Sequence, residues 1–243
     1  MGIDYTKRPA APPPPPHASP PPPPPPGVAP PPFPGSGPPV AAGRVILTKA
    51  APTVSLSKHS AAGGTLRVNL NWNARPAGSG GLFRKAAPLD LDLGCLWEFT
   101  DGSKGVVQAL GRSFTAQPRE LHEPVIWLDG DDRSGAVAGG ENLFVNLSHA
   151  AKIRRILVFA LIYEGAANWA AANGVVTLYP ATGPEVEVRL DDPREGARIC
   201  AIAMLENSGA GLDVRREVNY INGGQRALDE AYRWGMRWTA GRK

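Results

Sequence analysis

Apolar and polar residues alternate one for one through Leu66-Arg67-Val68-Asn69-Leu70-Asn71-Trp72. This is the period of a strand with one face buried and the other wet. The same period, or a short apolar run bounded by turn residues, recurs along the chain. It predicts strands at Arg44–Thr48, Thr53–Ser57, Thr65–Trp72, Leu89–Phe99, Gly105–Leu110, Val125–Leu128 and Leu143–Leu147, and again at Val175–Tyr179, Glu185–Leu190, Ala197–Leu205 and Leu212–Tyr220. Ile153–Tyr163 is apolar along almost its whole length and reads as a central strand. Asp101-Gly102 between two of these segments is a hairpin signal. Two stretches look helical, Ala166–Ala172 and Gln225–Met236, the second with Leu228 and Tyr232 on the side expected to pack. The pattern gives an all-β fold, a two-sheet antiparallel β-sandwich with a C-terminal helix.

Composition splits the chain in two. Of its 27 prolines, 19 fall between Pro9 and Pro39, with unbroken runs at 12–16 and 20–26. Proline has no amide hydrogen and a fixed φ, so residues 1–42 are expected to be a proline-rich disordered tail with polyproline II character. Residues 43–243 are then one domain, large enough for a single core. The net charge is +4, of which Lys7, Arg8 and Asp4 place +1 in the tail, so the domain is only slightly basic. It has no long Lys/Arg run and no interleaving of basic and aromatic residues, which argues against nucleic acid as a partner. No apolar run approaches the ~20 residues of a membrane span, and nothing near Met1 reads as a secretory signal. The expected location is the cytoplasm. Cys95 and Cys200 both lie in apolar, strand-like segments and read as buried free thiols rather than a disulfide.

Two acidic stretches break the mildly basic background. Leu89-Asp90-Leu91-Asp92-Leu93 would place Asp90 and Asp92 on one face of a strand, roughly 7 Å apart, with the leucines on the other. Asp129-Gly130-Asp131-Asp132-Arg133-Ser134-Gly135 follows, with Glu141 just beyond. Clustered carboxylates repel unless positive charge sits between them, and a hard cation with oxygen ligands supplies it. Calcium takes about six to eight oxygens. The spacing is not that of an EF-hand, because Arg133 and Gly140 fall where ligands would be needed. A solvated acidic turn with self-capping Asp side chains is the other reading, and composition leaves both open.

Nothing marks an enzyme. His17, His59, His122 and His149 are far from one another and from the cysteines, so there is no zinc spacing. No nucleophile elbow, P-loop or dinucleotide fingerprint occurs. The tryptophans read as packing residues, with Trp169 the one expected at the surface, and Arg154-Arg155 as a solvated strand end.

Taken together, several segments resemble the TerD family of bacterial tellurium-resistance proteins, and most closely its TerA branch. They are Leu89-Asp90-Leu91-Asp92, Leu128–Gly135 leading to Val145-Asn146-Leu147, Ile156–Gly165 with Trp169, Cys200–Asn207, and Leu228–Gly235. The resemblance covers residues 44–243 and leaves out the proline tail. It implies a β-sandwich, calcium binding through acidic residues, and a non-enzymatic role in stress responses. It also implies partnership with other tellurium-resistance proteins and a membrane-embedded partner at the inner face of the membrane. Carried over residue by residue, the implied metal ligands are Asp90, Asp92, Asp131 and Asp132, with Asp129 and Glu141 as further carboxylates. Where calcium-binding relatives carry an Asp-Asp-Glu run, this chain has Gly139-Gly140-Glu141. That departure implies weaker calcium binding, or one ion instead of two. The alternative reading is a protein-interaction module that works through the polyproline tail and has no functional metal site.

Overall fold

The computed structural model describes residues 44–48, 50–56, 63–72, 89–130 and 139–238. The proline-rich tail, and Asp131 and Asp132 of the acidic loop, lie outside the described residues. Among the described residues there are thirteen strands: β1 Arg44–Ile46, β2 Thr53–Ser55, β3 Thr65–Asn71, β4 Asp90–Phe99, β5 Lys104–Val107, β6 Thr115–Ala116, β7 Ile126–Leu128, β8 Glu141–Asn146, β9 Ile153–Glu164, β10 Gly174–Tyr179, β11 Glu185–Leu190, β12 Ile199–Asn207 and β13 Leu212–Ile221. They form a sandwich of two sheets. The seven-stranded sheet has the order β1-β11-β10-β3-β8-β7-β6, and the six-stranded sheet β2-β13-β12-β9-β4-β5.

The alternation that predicted the strands also sorts their faces. Leu66, Val68 and Leu70 of β3 and Leu143 and Val145 of β8 meet Leu91, Leu93 and Cys95 of β4 and Ile156, Val158 and Ala160 of β9 in the inter-sheet core. Ile153–Glu164 lies between β4 and β12, the central position its sequence suggests. Its middle, residues 156–162, is apolar without a break because both faces are covered there. Leu157, Phe159 and Leu161 face outward with Leu96, Ile199, Ala201 and Met204, into a second cluster closed by Leu228 and Trp234. The packing face expected of the C-terminal helix is therefore correct, and it covers the outside of the six-stranded sheet.

Five local expectations change. The β1–β11 pair is parallel, whereas every other pairing is antiparallel, and Arg44 ties it by reaching Glu185 (2.9 Å) and Glu187 (2.7 Å). β6, at two residues, is too short to leave a periodic signal. The C-terminal helix is Gln225–Tyr232 and stops four residues early, because Arg233 turns left-handed (φ 53°). Residues beyond it run as a strap. Asp229 accepts from Gly235 N (2.6 Å), Met236 N (2.9 Å) and Trp238 Nε1 (2.7 Å), and Arg155 stacks over the Trp234 ring at 3.9 Å. Arg154 and Arg155 are thus not a merely solvated strand end, since both also bind Glu98 at 2.7 Å.

Trp169, expected at the surface, is fully buried instead. It opens the short helix Trp169–Ala172, whose N-terminus Asn168 caps by accepting from Ala171 N, and it donates through Nε1 to Ala197 O at 2.7 Å. Burial is satisfactory for an indole once its one donor is paired.

Arg233 is exposed, and it pays a conformational cost that glycine would not. Arg233→Gly is expected to stabilise the fold by about 1 kcal/mol, raising the melting temperature by about 2–4 °C. A calorimetric scan of both proteins measures this.

Candidate cation site on strand β4

The ten residues of β4 pair along their whole length with β9, but β5 reaches only Cys95–Glu98. On that side Asp90–Gly94 has no strand neighbour among the described residues. The strand is fixed at its start by Trp72, which donates from Nε1 to Leu89 O at 3.1 Å. Leu91 and Leu93 point into the inter-sheet core, so Asp90 and Asp92 share the opposite face, as the strand period requires. Both are buried, at 5% and 3% exposure. Asp92 stands opposite Leu161, and Asp90 opposite Glu164, with an irregularity in the ladder between Asp90 and Leu91.

The open edge of β4 is met from the other sheet. Glu141, the first residue of β8, is 2% exposed and points inward like Leu143 and Val145. Its Oε2 accepts from the Leu93 amide at 2.6 Å. A carboxylate is a strong acceptor, and this bond joins the two sheets directly beside Asp92.

Gly140 explains how Glu141 gets there. Its φ is +62°, and a Cβ at this position would lie 2.1 Å from Leu70 O. The returning loop is pressed against β3, and Asn69 holds it there by donating to Gly139 O and to Asn142 Oδ1 (2.9 Å). The position where relatives were expected to carry a second carboxylate has no room for any side chain in this conformation.

Asp129 lies at the end of β7 and is exposed. Its Oδ1 accepts from Asn142 N (3.1 Å) and its Oδ2 from Asn142 Nδ2 (2.8 Å), so it caps the neighbouring strand. The structure thus brings Asp90, Asp92 and Glu141 to the edge of β4 and turns Asp129 toward Asn142. Asp131 and Asp132 lie outside the described residues. Among the described residues, no three His, Cys, Asp or Glu side chains converge closely enough to hold a metal on their own.

Sequence reasoning did not find Trp72, Asn69 or Asn142. Trp72 looked like the end of an alternating strand. Asn69 and Asn142 sat at polar positions that the period assigns to solvent, yet Asn69 is only 7% exposed. Cys95 and Cys200 are both buried and free, as expected, and burial pushes both thiols far above the ordinary range. Only the thiolate is a strong nucleophile.

Two outcomes follow from this geometry. Gly140→Ala should destabilise the protein by more than about 2 kcal/mol, since it adds both a backbone clash and a strained φ. Urea unfolding measures it. Neither thiol should react with iodoacetamide at pH 8 in the folded protein, and both should react once it is unfolded, as read by mass spectrometry.

No protein-family model matches the chain. Over 209 residues it is 42% identical to the tellurium resistance protein TerA of Alcaligenes sp., an alignment covering 84% of this chain and 60% of that protein. The chain therefore spans about 60% of the length of this relative. Among solved structures it is similar to a homologue of telluride resistance protein (TerD) from Streptomyces coelicolor A3(2). The TM-score is 0.49 and the identity 19%, covering 68% of this chain and 94% of that one.

Proposed function

This chain belongs to the TerA/TerD family of tellurium-resistance proteins, and on that footing we propose that it is a non-enzymatic, calcium-responsive scaffold of the tellurium-resistance system. The observation that carries the reading is the pair of carboxylates Asp90 and Asp92, side by side on one face of β4 at 5% and 3% exposure. Carboxylates are seldom buried in pairs unless a cation or a dense set of donors offsets their repulsion. An oxygen-rich site built from acids, backbone carbonyls and water suits calcium better than a transition metal.

In this reading Asp90 and Asp92 form one wall of the site, and Asp131 and Asp132 of the adjoining loop form the other. Glu141 stands at the junction, with one oxygen already engaged by Leu93 N. Asp129 holds the base of the loop through Asn142. With Gly139 and Gly140 in place of acids, the charge count is low, which favours weak binding or a single ion. Calcium would fasten the acidic loop to the edge of β4 and so change the surface that this end of the sandwich offers to other tellurium-resistance proteins. A partner embedded in the membrane would place the protein at the cytoplasmic face. No described helix is long and apolar enough to cross a membrane.

Millimolar calcium should raise the melting temperature of the wild-type protein. Asp131→Lys with Asp132→Lys should abolish that rise without unfolding the protein. Calcium-independent melting of the wild type would sink the proposal.

A further inference from the structure

Residues 43–224 are electrically balanced, with 19 basic and 19 acidic side chains, while residues 225–243 hold five basic and two acidic ones. The whole positive excess of the domain therefore lies from Gln225 onward. Arg226, Arg233 and Arg237 are exposed and line one open cavity of about 560 Å³ together with the half-buried Met236 and Trp238. The two acids of that cavity do not neutralise them. Asp229 is spent on three donors of the strap, which leaves Glu230 against three arginines. A second cavity, of about 310 Å³, shares Met236, Arg237 and Trp238 and is bordered by Leu110, Gly111 and Ser113, the turn that carries Arg112. Two of these four arginines stand where glycine would be cheaper. Arg112 and Arg233 are exposed at φ of 56° and 53°. No ion pair offsets that strain. Among the described residues Arg112, Arg226, Arg233 and Arg237 have none, whereas Arg154, Arg155, Arg194 and Arg215 each bind an acid. Backbone strain kept at an exposed, unpaired charge points to something the side chain meets outside the molecule.

We propose that this surface docks on a bilayer of anionic phospholipids, with the arginines on the phosphates and Met236 and Trp238 at the headgroup boundary. Two features select that occupant. The first is charge. Unpaired guanidinium groups around one open cavity call for an anionic partner, and their planar forks of donors match phosphate oxygens. The second is the make-up of the wall. Apolar Met236 and Trp238 stand among the cations, and tryptophan beside basic residues is the pairing that suits a membrane–water boundary. A single-stranded nucleic acid would need successive free aromatic faces on which to stack its bases. Trp234 offers none, since its ring is buried with Arg155 over it.

The docking involves no calcium, so the test is run in EDTA and its outcome is independent of the calcium site. The full-length protein is co-sedimented, at low and at high salt, with vesicles of phosphatidylglycerol and phosphatidylcholine in equal parts and with vesicles of phosphatidylcholine alone. Binding is expected to the mixed vesicles alone, and to be lost at high salt because exposed charges are screened. Arg226→Ala, Arg237→Ala and Arg233→Gly should each weaken it about fivefold, the usual share of one arginine at an anionic surface. Arg233→Gly separates docking from folding, since it should bind more weakly while melting at a higher temperature. Arg233→Lys, which keeps the charge, should bind as the wild type does. Absence of binding to the mixed vesicles, equal binding to phosphatidylcholine, binding that the three charge-removing variants leave unchanged, or release from the mixed vesicles by a deoxythymidine oligomer that binds more tightly would each overturn it.

Discussion

Burial of the central strands β4, β9 and β12 of the six-stranded sheet on both faces is the constraint from which the rest of the structure follows. One face packs on the seven-stranded sheet, and the other is covered by the C-terminal helix and strap. Along such a stretch of strand there is no wet face on which to place charge cheaply. β4 shows how the chain meets this. Its outward residues are Asp90, Asp92, Gly94, Leu96 and Glu98. Leu96 lies in the second apolar cluster. Gly94 leaves room for the Phe159 ring, which would come within 2.7 Å of a Cβ there. Glu98 is held by Arg154 and Arg155. The Asp90–Asp92 end is the part of this face that carries concentrated negative charge.

The same constraint gives Glu141 its importance. The half of β4 that β5 does not reach exposes backbone donors at a buried edge, and an unmet amide there would cost about 1–3 kcal/mol. A carboxylate sent across from the other sheet meets the Leu93 amide and adds a further negative charge beside Asp92. Structural demand and the acidic character of the site are thus one feature. Gly140 belongs to it as well. A close approach to Leu70 O brings Glu141 into reach, and it excludes a carboxylate at residue 140. The gap in the acidic pattern is the cost of placing Glu141.

Much of this was legible in the sequence. Strict alternation in Leu66–Trp72 and the long apolar run within Ile153–Tyr163 gave the correct faces and the correct central strand, because burial on one side or on both leaves a different period. Asp90 and Asp92 were legible as a same-face pair for the same reason. What was not legible depended on residues meeting from distant parts of the chain. Trp169 looked exposed because it follows the central strand in a loop-like stretch, and only the Ala197 carbonyl shows why it is buried. The early stop of the C-terminal helix rests on Asp229 gathering three donors from the strap, which no local propensity encodes. Gly139 and Gly140 looked like missing ligands, whereas the Leu70 carbonyl makes Gly140 a steric requirement.

The central claim is that calcium binds beside Asp90 and Asp92, where the Glu141 carboxylate joins β8 to the open edge of β4. The most direct measurement is a calcium titration of isotope-labelled protein followed by amide NMR. The account predicts that the resonances of Asp92, Leu93 and Glu141 move together and saturate, while those of the C-terminal strap at Trp234–Trp238 stay still. Amides at the β4 edge that are indifferent to millimolar calcium, or shifts confined to other parts of the sandwich, would contradict it.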